Sequence, residues 1–158
     1  MASDHEAMTA DREAARGAWL GLLARAEPGR LAALMDDLGA LPAHRWLRAP
    51  ETGSMMLRGR TGGTGGPFNL GEMTVTRCTL ALEDGTVGHA MVPGRDKAHA
   101  ERVALADALL QRDETRAGAE ARVLAPLAAA ETAAAEGVAA KAAATKVDFF
   151  TMVRGENE

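Results

Sequence analysis

The sequence predicts an α+β fold in which helices cover one face of a small antiparallel sheet. Three observations indicate this fold. Apolar residues recur at helical spacing near the N-terminus, residues 72–83 alternate as a strand that runs into Asp84-Gly85, and residues 117–144 are rich in alanine. Helical spacing and strict alternation distinguish the two kinds of element. With 158 residues and no internal repeat, the chain is expected to form one domain over 1–158.

The first elements are predicted to be two helices that form a hairpin. Residues 9–26 place Trp19 on an apolar face at helical spacing, and residues 31–38 form a second apolar stripe. Gly39 stands where a C-terminal cap belongs, so it is expected to end the second helix. Residues 1–11 are polar and lack the apolar core of a signal peptide, and we expect residues 1–8 to be disordered.

The central strand, residues 72–83, changes the parity of its apolar residues. Met73 and Val75 share one parity, whereas Cys78 and the two leucines after it share the other. A shift of one residue reverses the two faces of a strand. The sequence therefore predicts a β-bulge near Arg77.

A hairpin is expected after this strand, and short extended segments between residues 46 and 57 precede it. The Asp84-Gly85 dipeptide is typical of a two-residue turn, which pairs Leu80 with His89. In that register the side chain of His89 points to the apolar face of the sheet. There it is either a hydrogen-bonded core histidine or a catalytic or ligand-binding group.

The C-terminal part is predicted to be helical and to end in an apolar tail. Asp96 is a candidate N-cap for a helix to about residue 112, and residues 117–144 form an alanine-rich helix that Pro126 interrupts. The tail, residues 145–158, carries the apolar side chains Val147, Phe149, Phe150 and Met152. Because exposed apolar segments associate, we expect the tail to dock either on the sheet or on a partner subunit.

Composition restricts the class of protein. A formal net charge of -4 argues against nucleic acid as the main partner, and a single cysteine suits a reducing cytoplasm. No uninterrupted apolar run reaches the roughly 18–20 residues that span a membrane. Aromatic residues make up only 3% of the chain, so the core is expected to be thin and to gain stability from association. The chain is expected to be cytoplasmic.

The stretch around residues 58–66 is the main candidate for a binding surface. It combines glycines, which let a backbone approach a ligand, with arginines, which suit an anion. The candidate residues are Arg58, Arg60, Gly62, Gly63, Thr64, Gly65 and Arg77. A Walker loop requires a lysine and a following helix, and neither follows this stretch. A dinucleotide fingerprint requires a third glycine at the position that Phe68 occupies. The stretch is either a phosphate- or ligand-binding loop, a mobile surface loop or a loop buried against a partner.

A second candidate lies at the start of the helix after residue 96. Arg95, His99 and Arg102 recur at helical spacing on one flank. A cationic flank at a helix N-terminus suits an anion. The alternative is a solvated face without a ligand.

A candidate polar core completes the set. It consists of Cys78, His89 and Asp107. Asp107 interrupts an apolar stripe and is expected to pair with an arginine, because an unpaired buried carboxylate is costly. One cysteine and one histidine do not make a metal site, and the residues show no complete catalytic constellation.

Several long strings of the sequence resemble the PhnG family, whose members are subunits of the bacterial carbon–phosphorus lyase system. They are PETG (50–53), RGRTGGTG (58–65), FNLGEMTVTRC (68–78), DGTVGH (84–89), GRDK (94–97), ADALL (106–110) and KVDFFTMVRG (146–155). The likeness is densest over residues 48–111. It departs in the alanine-rich segment over residues 117–144, which is generic.

The resemblance implies a role in organophosphonate catabolism. It implies that the chain works with PhnH, PhnI and PhnJ in a core complex, with PhnL or PhnK as further partners. The complex would displace adenine from MgATP with methylphosphonate and form α-D-ribose 1-methylphosphonate 5-triphosphate. The chain would be an accessory, structural subunit that binds no cofactor alone and is not catalytic alone. The alternatives are a subunit that contributes catalytic or phosphate-binding residues from the glycine–arginine stretch, and an independent module that binds a phosphorylated ligand.

Overall fold

The structure, a computed structural model, describes residues 2–145, with side chains described from residue 9 onward. The predicted docking of the apolar tail concerns residues 146–158, which lie outside the described residues. Residues 1–8 are predicted to be disordered. Met1 and the side chains of residues 2–8 also lie outside the described part of the chain. Both stay predictions.

The described elements follow the order of helices, sheet and helices. They are α1 (Ala2–Arg25), α2 (Pro28–Asp36), β1 (His44–Arg60), β2 (Pro67–Leu82), β3 (Val87–Pro93), α3 (Lys97–Gln111), α4 (Asp113–Ala119) and α5 (Ala125–Ala144). A 3-10 turn, Thr61–Gly63, lies in the loop between β1 and β2, and a π-turn, Glu120–Leu124, joins α4 to α5. The α+β prediction is confirmed.

The two N-terminal helices both pack against α3. Leu23 of α1, and Leu31 and Met35 of α2, are fully buried there. The Glu27 carboxylate caps α2 by accepting hydrogen bonds at 2.9 and 2.6 Å from backbone N–H groups of its first turn. Gly39 has a φ of 93°, which suits glycine after a helix end.

The helix α3 lies at the centre of the core. Every residue from 103 to 110 is buried, because α1, α2, α4 and the sheet pack around this helix. A Cβ atom on Gly88 of β3 would lie 2.0 Å from the carbonyl oxygen of Ala104. The close approach of β3 to α3 therefore requires glycine at position 88.

The helical run Asp113–Ala144 contains a window apolar and long enough to cross a membrane, by length and composition alone. Only 11% of this window is buried. Alanine supplies most of its apolar character. One helix of this kind does not establish a membrane span.

The sheet has the order β1-β2-β3 and is antiparallel throughout. β1 is one strand of 17 residues, where the sequence predicted short extended segments, and it pairs with β2 from His44 to Arg60. β3 pairs with β2 only between residues 75 and 81 of β2. The distal half of the β1–β2 hairpin, residues 54–74, therefore extends beyond the third strand. We call this segment the hairpin arm.

The bulge predicted near Arg77 lies in β1 rather than in β2, because Arg48 pairs with Thr79 and Glu51 with Arg77. β2 pairs with β3 without a shift from Val75 to Ala81, so the strand keeps one alternation through Arg77. The register shifts lie in the pairing of β1 with β2, between Trp46 and Arg48, Arg48 and Glu51, and Leu57 and Arg58. The parity change in the sequence arises because β2 carries apolar side chains on both faces. Cys78 lies on the inner face, which packs on α3, and Met73 lies on the opposite, outer face.

Candidate functional site

The glycine-rich candidate loop forms the tip of the hairpin arm. Gly62 and Gly63 have positive φ angles of 59° and 84°, which explains glycine at these two positions. The loop closes on itself, because the Gly65 N–H donates to the Thr61 carbonyl at 2.8 Å. The Arg60 guanidinium donates to the Gly65 carbonyl at 3.2 Å. The tip is therefore an ordered turn with an arginine folded over it.

The candidate arginines do not converge on one site. Arg77 pairs across the sheet with Glu51, which lies nine residues before Arg60 on the same strand. At roughly 3.3 Å per residue, Arg60 and Arg77 lie about 30 Å apart. Thr64 lies beyond Arg60 at the tip of the arm. One small ligand cannot contact both ends of this set.

A groove of about 430 Å³ lies between the outer face of the sheet and α1. Arg48, Arg77 and His89 line it with apolar residues of α1. The Glu51 carboxylate lies 2.8 Å from Arg77 and 3.6 Å from Arg48, so it balances part of this positive charge. The Thr79 hydroxyl lies 3.1 Å from Nδ1 of His89. The groove is therefore a cationic surface, and its arginines and His89 already have partners within the chain.

The position of His89 corrects the predicted hairpin register. The observed loop has three residues, because the Leu82 N–H donates to the Thr86 carbonyl at 2.9 Å and Gly85 has a φ of 87°. His89 therefore pairs with Thr79 rather than with Leu80, and its side chain is exposed on the outer face. One added loop residue reverses the faces of β3.

Asp84 shapes this loop in a way that the dipeptide alone does not indicate. Its carboxylate accepts a hydrogen bond from the backbone N–H of Thr86 at 2.9 Å and lies 2.8 Å from Arg112. The hydrogen bonds from Thr86, and then the charge of Arg112, lower the pKa of Asp84. The turn was located correctly, but its length was not.

Asp107 is the centre of the buried polar network. Its fully buried carboxylate accepts hydrogen bonds from the Arg16 side chain at 3.1 and 2.6 Å, from the Trp19 indole at 2.9 Å and from the His89 backbone N–H at 2.9 Å. The predicted arginine partner is confirmed, and it comes from α1. Arg16 and Gln111 also donate to the Val87 carbonyl, at 3.2 and 2.9 Å. The network therefore satisfies two backbone groups at the free edge of β3, the His89 N–H and the Val87 carbonyl.

Most residues of this network were not predicted from the sequence. Arg16 and Trp19 are spaced three residues apart on α1, which places them on one side of a helix. That spacing could have indicated that Arg16 and Trp19 share a partner, but Trp19 was predicted only to pack in the core. Gln111 gave no signal, because its partner is a backbone carbonyl.

Cys78 is buried on the inner face. Its thiol donates to the Ala100 carbonyl at 3.3 Å, and it is 2% exposed. Burial, and then the charge of Glu101, raise the pKa of Cys78 to about 11. A neutral, buried thiol is a poor nucleophile.

The candidate anion site at the start of α3 is divided between surface and core. Asp96 caps the helix by accepting from the His99 N–H at 2.8 Å. Arg95 is exposed, Arg102 is half-buried and His99 is 3% exposed. Neither ring nitrogen of His99 has a hydrogen-bond partner among the described residues. An anion held by this flank stays a prediction.

The described side chains include no group of three His, Cys, Asp or Glu residues placed to hold a metal ion. The buried titratable groups Cys78, His99 and Asp107 are covered by other residues. The exposed histidine, His89, bonds to a threonine. Over residues 9–145, the side chains therefore form no nucleophile–base pair that the geometry would support.

Comparison with known proteins decides the family. The family model described as "Phosphonate metabolism protein PhnG" matches residues 14–155. A curated protein of Rhizobium meliloti (strain 1021), the "Alpha-D-ribose 1-methylphosphonate 5-triphosphate synthase subunit PhnG", is 48% identical over 136 residues, which cover 86% of each chain.

This chain belongs to the PhnG family.

The PhnG match extends from α1 through the alanine-rich helix and into the tail. It therefore includes the segment over residues 117–144, which the resemblance had left generic. The hairpin arm, the cationic groove and the Asp107 network all lie inside the matched range.

Proposed function

We propose that this chain is an accessory, structural subunit of a complex that forms α-D-ribose 1-methylphosphonate 5-triphosphate from MgATP and methylphosphonate. The observation that carries the proposal is the 48% identity, over 86% of each chain, to a protein named as a subunit of that synthase. Identity at this level over most of the chain supports a shared role. The reaction belongs to organophosphonate catabolism by the carbon–phosphorus lyase system.

The structure supports an accessory rather than a catalytic role. Asp107 and Cys78, two of the three buried titratable groups among the described side chains, are engaged in hydrogen bonds that hold helices to the sheet. The candidate arginines are spread over about 30 Å. The chain supplies surfaces, and the reacting groups come from its partners.

The proposed partners are PhnH, PhnI and PhnJ, with PhnL or PhnK as additional components. An apolar surface exposed on the sheet supports obligate association, because such a surface is costly in water. Met55, Phe68 and Met91 are 39%, 45% and 48% exposed. The proposed complex assembles in the cytoplasm and binds MgATP as substrate on subunits other than this one.

The alternative is a subunit that contributes phosphate-binding groups. The groove lined by Arg48 and Arg77 favours this alternative, since two guanidinium groups face the same space. In that case this chain would hold the triphosphate of the product while a partner performs the chemistry. The Glu51 carboxylate would have to release at least one arginine.

The experiment is co-expression of this chain with PhnH, PhnI and PhnJ, followed by mass measurement and an assay of triphosphate formation. The proposal expects a stable complex that needs this chain for assembly. Arg60→Ala and Arg77→Ala should leave turnover within about threefold of wild type once assembly is matched. If Arg77→Ala abolishes turnover in an intact complex, the phosphate-binding alternative is correct. A chain that stays alone beside these partners would contradict both.

A further inference from the structure

The hairpin arm has no structural support from the rest of the described chain. β3 ends its pairing at residue 75 of β2, so the arm is a two-stranded ribbon. Isolated two-stranded ribbons are only marginally stable in water. Most residues of the arm are exposed, although it carries large apolar side chains. The arm therefore requires cover from another surface.

Several large apolar side chains of the arm lie on its outer face, whereas Met56 lies on the inner face and Leu70 at the register shift. Met55 pairs with Met73 across the two strands, and the parity of Met73 is that of the outer face. The register shift after Leu57 brings Phe68 opposite Gly59, on the same outer face. A Cβ on Gly59 would lie 3.5 Å from the Phe68 ring, so this ring covers the glycine. The face is a continuous strip that ends at the tip.

The inner face of the arm is mostly polar. Ser54 pairs with Thr74, Met56 with Glu72, and Arg58 with Asn69. The apolar core that the helices form with the sheet includes no residue of the arm, so the helices leave the apolar strip of the arm unburied. The parity change in the sequence of β2 results from this division of apolar residues between the two faces. The apolar residues on the inner face of β2 pack into the core, whereas those on the outer face of the arm are available to contact another surface.

Charge indicates the chemistry of the occupant. Between residues 48 and 77 the chain has four arginines and two glutamates, a net charge of +2, whereas the whole chain carries -4. Arg58 and Arg60 form no ion pair within the described part of the chain. Complementary charge across an interface favours a partner that carries carboxylates around an apolar patch.

We propose that the outer face of the hairpin arm docks on a different protein subunit, whose contacting surface is apolar and rimmed by Asp and Glu. The proposal rests on the proposed function, which places this chain in a complex. A second copy of the chain fits less well, because a two-fold interface pairs a surface with itself and would bring together two stretches that each carry a net positive charge over residues 48–77. Methionine side chains adapt their shape to a partner, which suits this role.

The test compares adjacent residues on opposite faces of the same arm. Met55→Lys places a charge on the proposed docking face, whereas Met56→Lys places the same charge on the inner face, where Met56 is 47% exposed. Each variant is co-expressed with PhnH, PhnI and PhnJ to test assembly. In a separate experiment, the affinity of each purified variant for the purified partners is measured. We expect Met55→Lys to weaken binding about tenfold to a hundredfold. Met56→Lys should stay within about threefold of wild type.

A second measurement separates folding from docking. The melting temperature of each isolated chain should be unchanged, because both side chains are exposed. If Met55→Lys and Met56→Lys bind alike, whether both normally or both weakly, the outer face is not the docking surface. Wild-type assembly in that experiment would keep the proposed function intact. Failure of the wild-type chain to assemble would overturn the proposed function and this inference together.

Two other occupants give distinct results. If the isolated wild-type chain is a dimer that Met55→Lys converts to a monomer, a second copy covers the face. If Met55→Lys lowers the melting temperature of the isolated chain as much as deletion of residues 146–158 does, the chain's own tail covers it. Either result overturns the proposal of a different subunit.

Discussion

Arg16 of α1 and Asp107 of α3 are joined by two hydrogen bonds, from Nε to Oδ1 at 3.1 Å and from the second guanidinium nitrogen to Oδ2 at 2.6 Å. The carboxylate is fully buried, whereas the arginine side chain is 30% exposed. The same carboxylate accepts the backbone N–H of His89. This contact therefore joins the first helix, the central helix and the edge of the sheet.

Replacement of Asp107 by alanine should be strongly destabilising. The change leaves the indole N–H of Trp19 and the His89 N–H without their acceptor, and we expect a loss of about 3–5 kcal/mol in the free energy of unfolding. Urea denaturation of the isolated chain measures it. Arg12→Ala, at an exposed arginine one turn before Arg16, is the control and should change stability by less than about 0.5 kcal/mol. A loss below about 1 kcal/mol for Asp107→Ala would contradict the role of the network.

Gly88 and Gly137 should respond to alanine in opposite directions. At Gly88 the added Cβ would meet the Ala104 carbonyl oxygen at 2.0 Å, so β3 and α3 must separate. We expect a cost of about 1–3 kcal/mol or more. At Gly137 an added Cβ would meet no atom within 4 Å apart from its chain neighbours and the backbone of its own helix, and the exposed helix should gain about 0.5–1 kcal/mol. Thermal melts of the two variants test both signs, and a neutral Gly88→Ala would be inconsistent with the close approach.

The pKa of Cys78 predicts how stability depends on alkaline pH. Burial raises this pKa from 9.0 to about 11, so the folded chain holds the thiol proton more tightly than the unfolded chain does. The resulting stability is present below pH 9 and is lost as the pH rises towards 11, by about 2–3 kcal/mol. The comparison is wild type against Cys78→Ala, with unfolding free energies measured from pH 8 to 11. Parallel curves for the two proteins would refute the prediction.

His99 is a buried histidine whose ring nitrogens lack partners in the described chain. A buried polar group without a partner costs free energy, so an apolar side chain of similar size should be tolerated or favoured. We expect His99→Leu to raise the free energy of unfolding by up to about 1–3 kcal/mol. Chemical denaturation measures the change. His89→Leu, on the exposed outer face, is the control and should lie within about 0.5 kcal/mol of wild type. A loss above about 1 kcal/mol for His99→Leu would mean that the ring makes a bond, for example to a bound water.

Local patterns predicted most of the elements. The apolar spacing of α1, α2 and α3 was sufficient to place these helices, because each buries a face at helical period. The Asp84-Gly85 dipeptide located the hairpin, and the isolated carboxylate in the α3 stripe predicted an arginine partner for Asp107. The family strings predicted the PhnG assignment.

Long-range pairing decided the rest. The length of one loop set the register of β3 and moved His89 from the inner face to the outer face, which the dipeptide could not specify. The parity change in β2 was interpreted as a bulge, because a single strand does not show how far its neighbours extend.

By itself the sequence determined the fold class, the helices, the position of the hairpin and the family, since these depend on local periodicity and on residue strings. Only the tertiary structure decided that Arg16 meets Asp107, that Arg60 and Arg77 lie apart, and that the arm extends beyond β3. Those features depend on which residues distant in the chain lie side by side. Their positions follow from strand register and helix packing, which a local pattern does not contain.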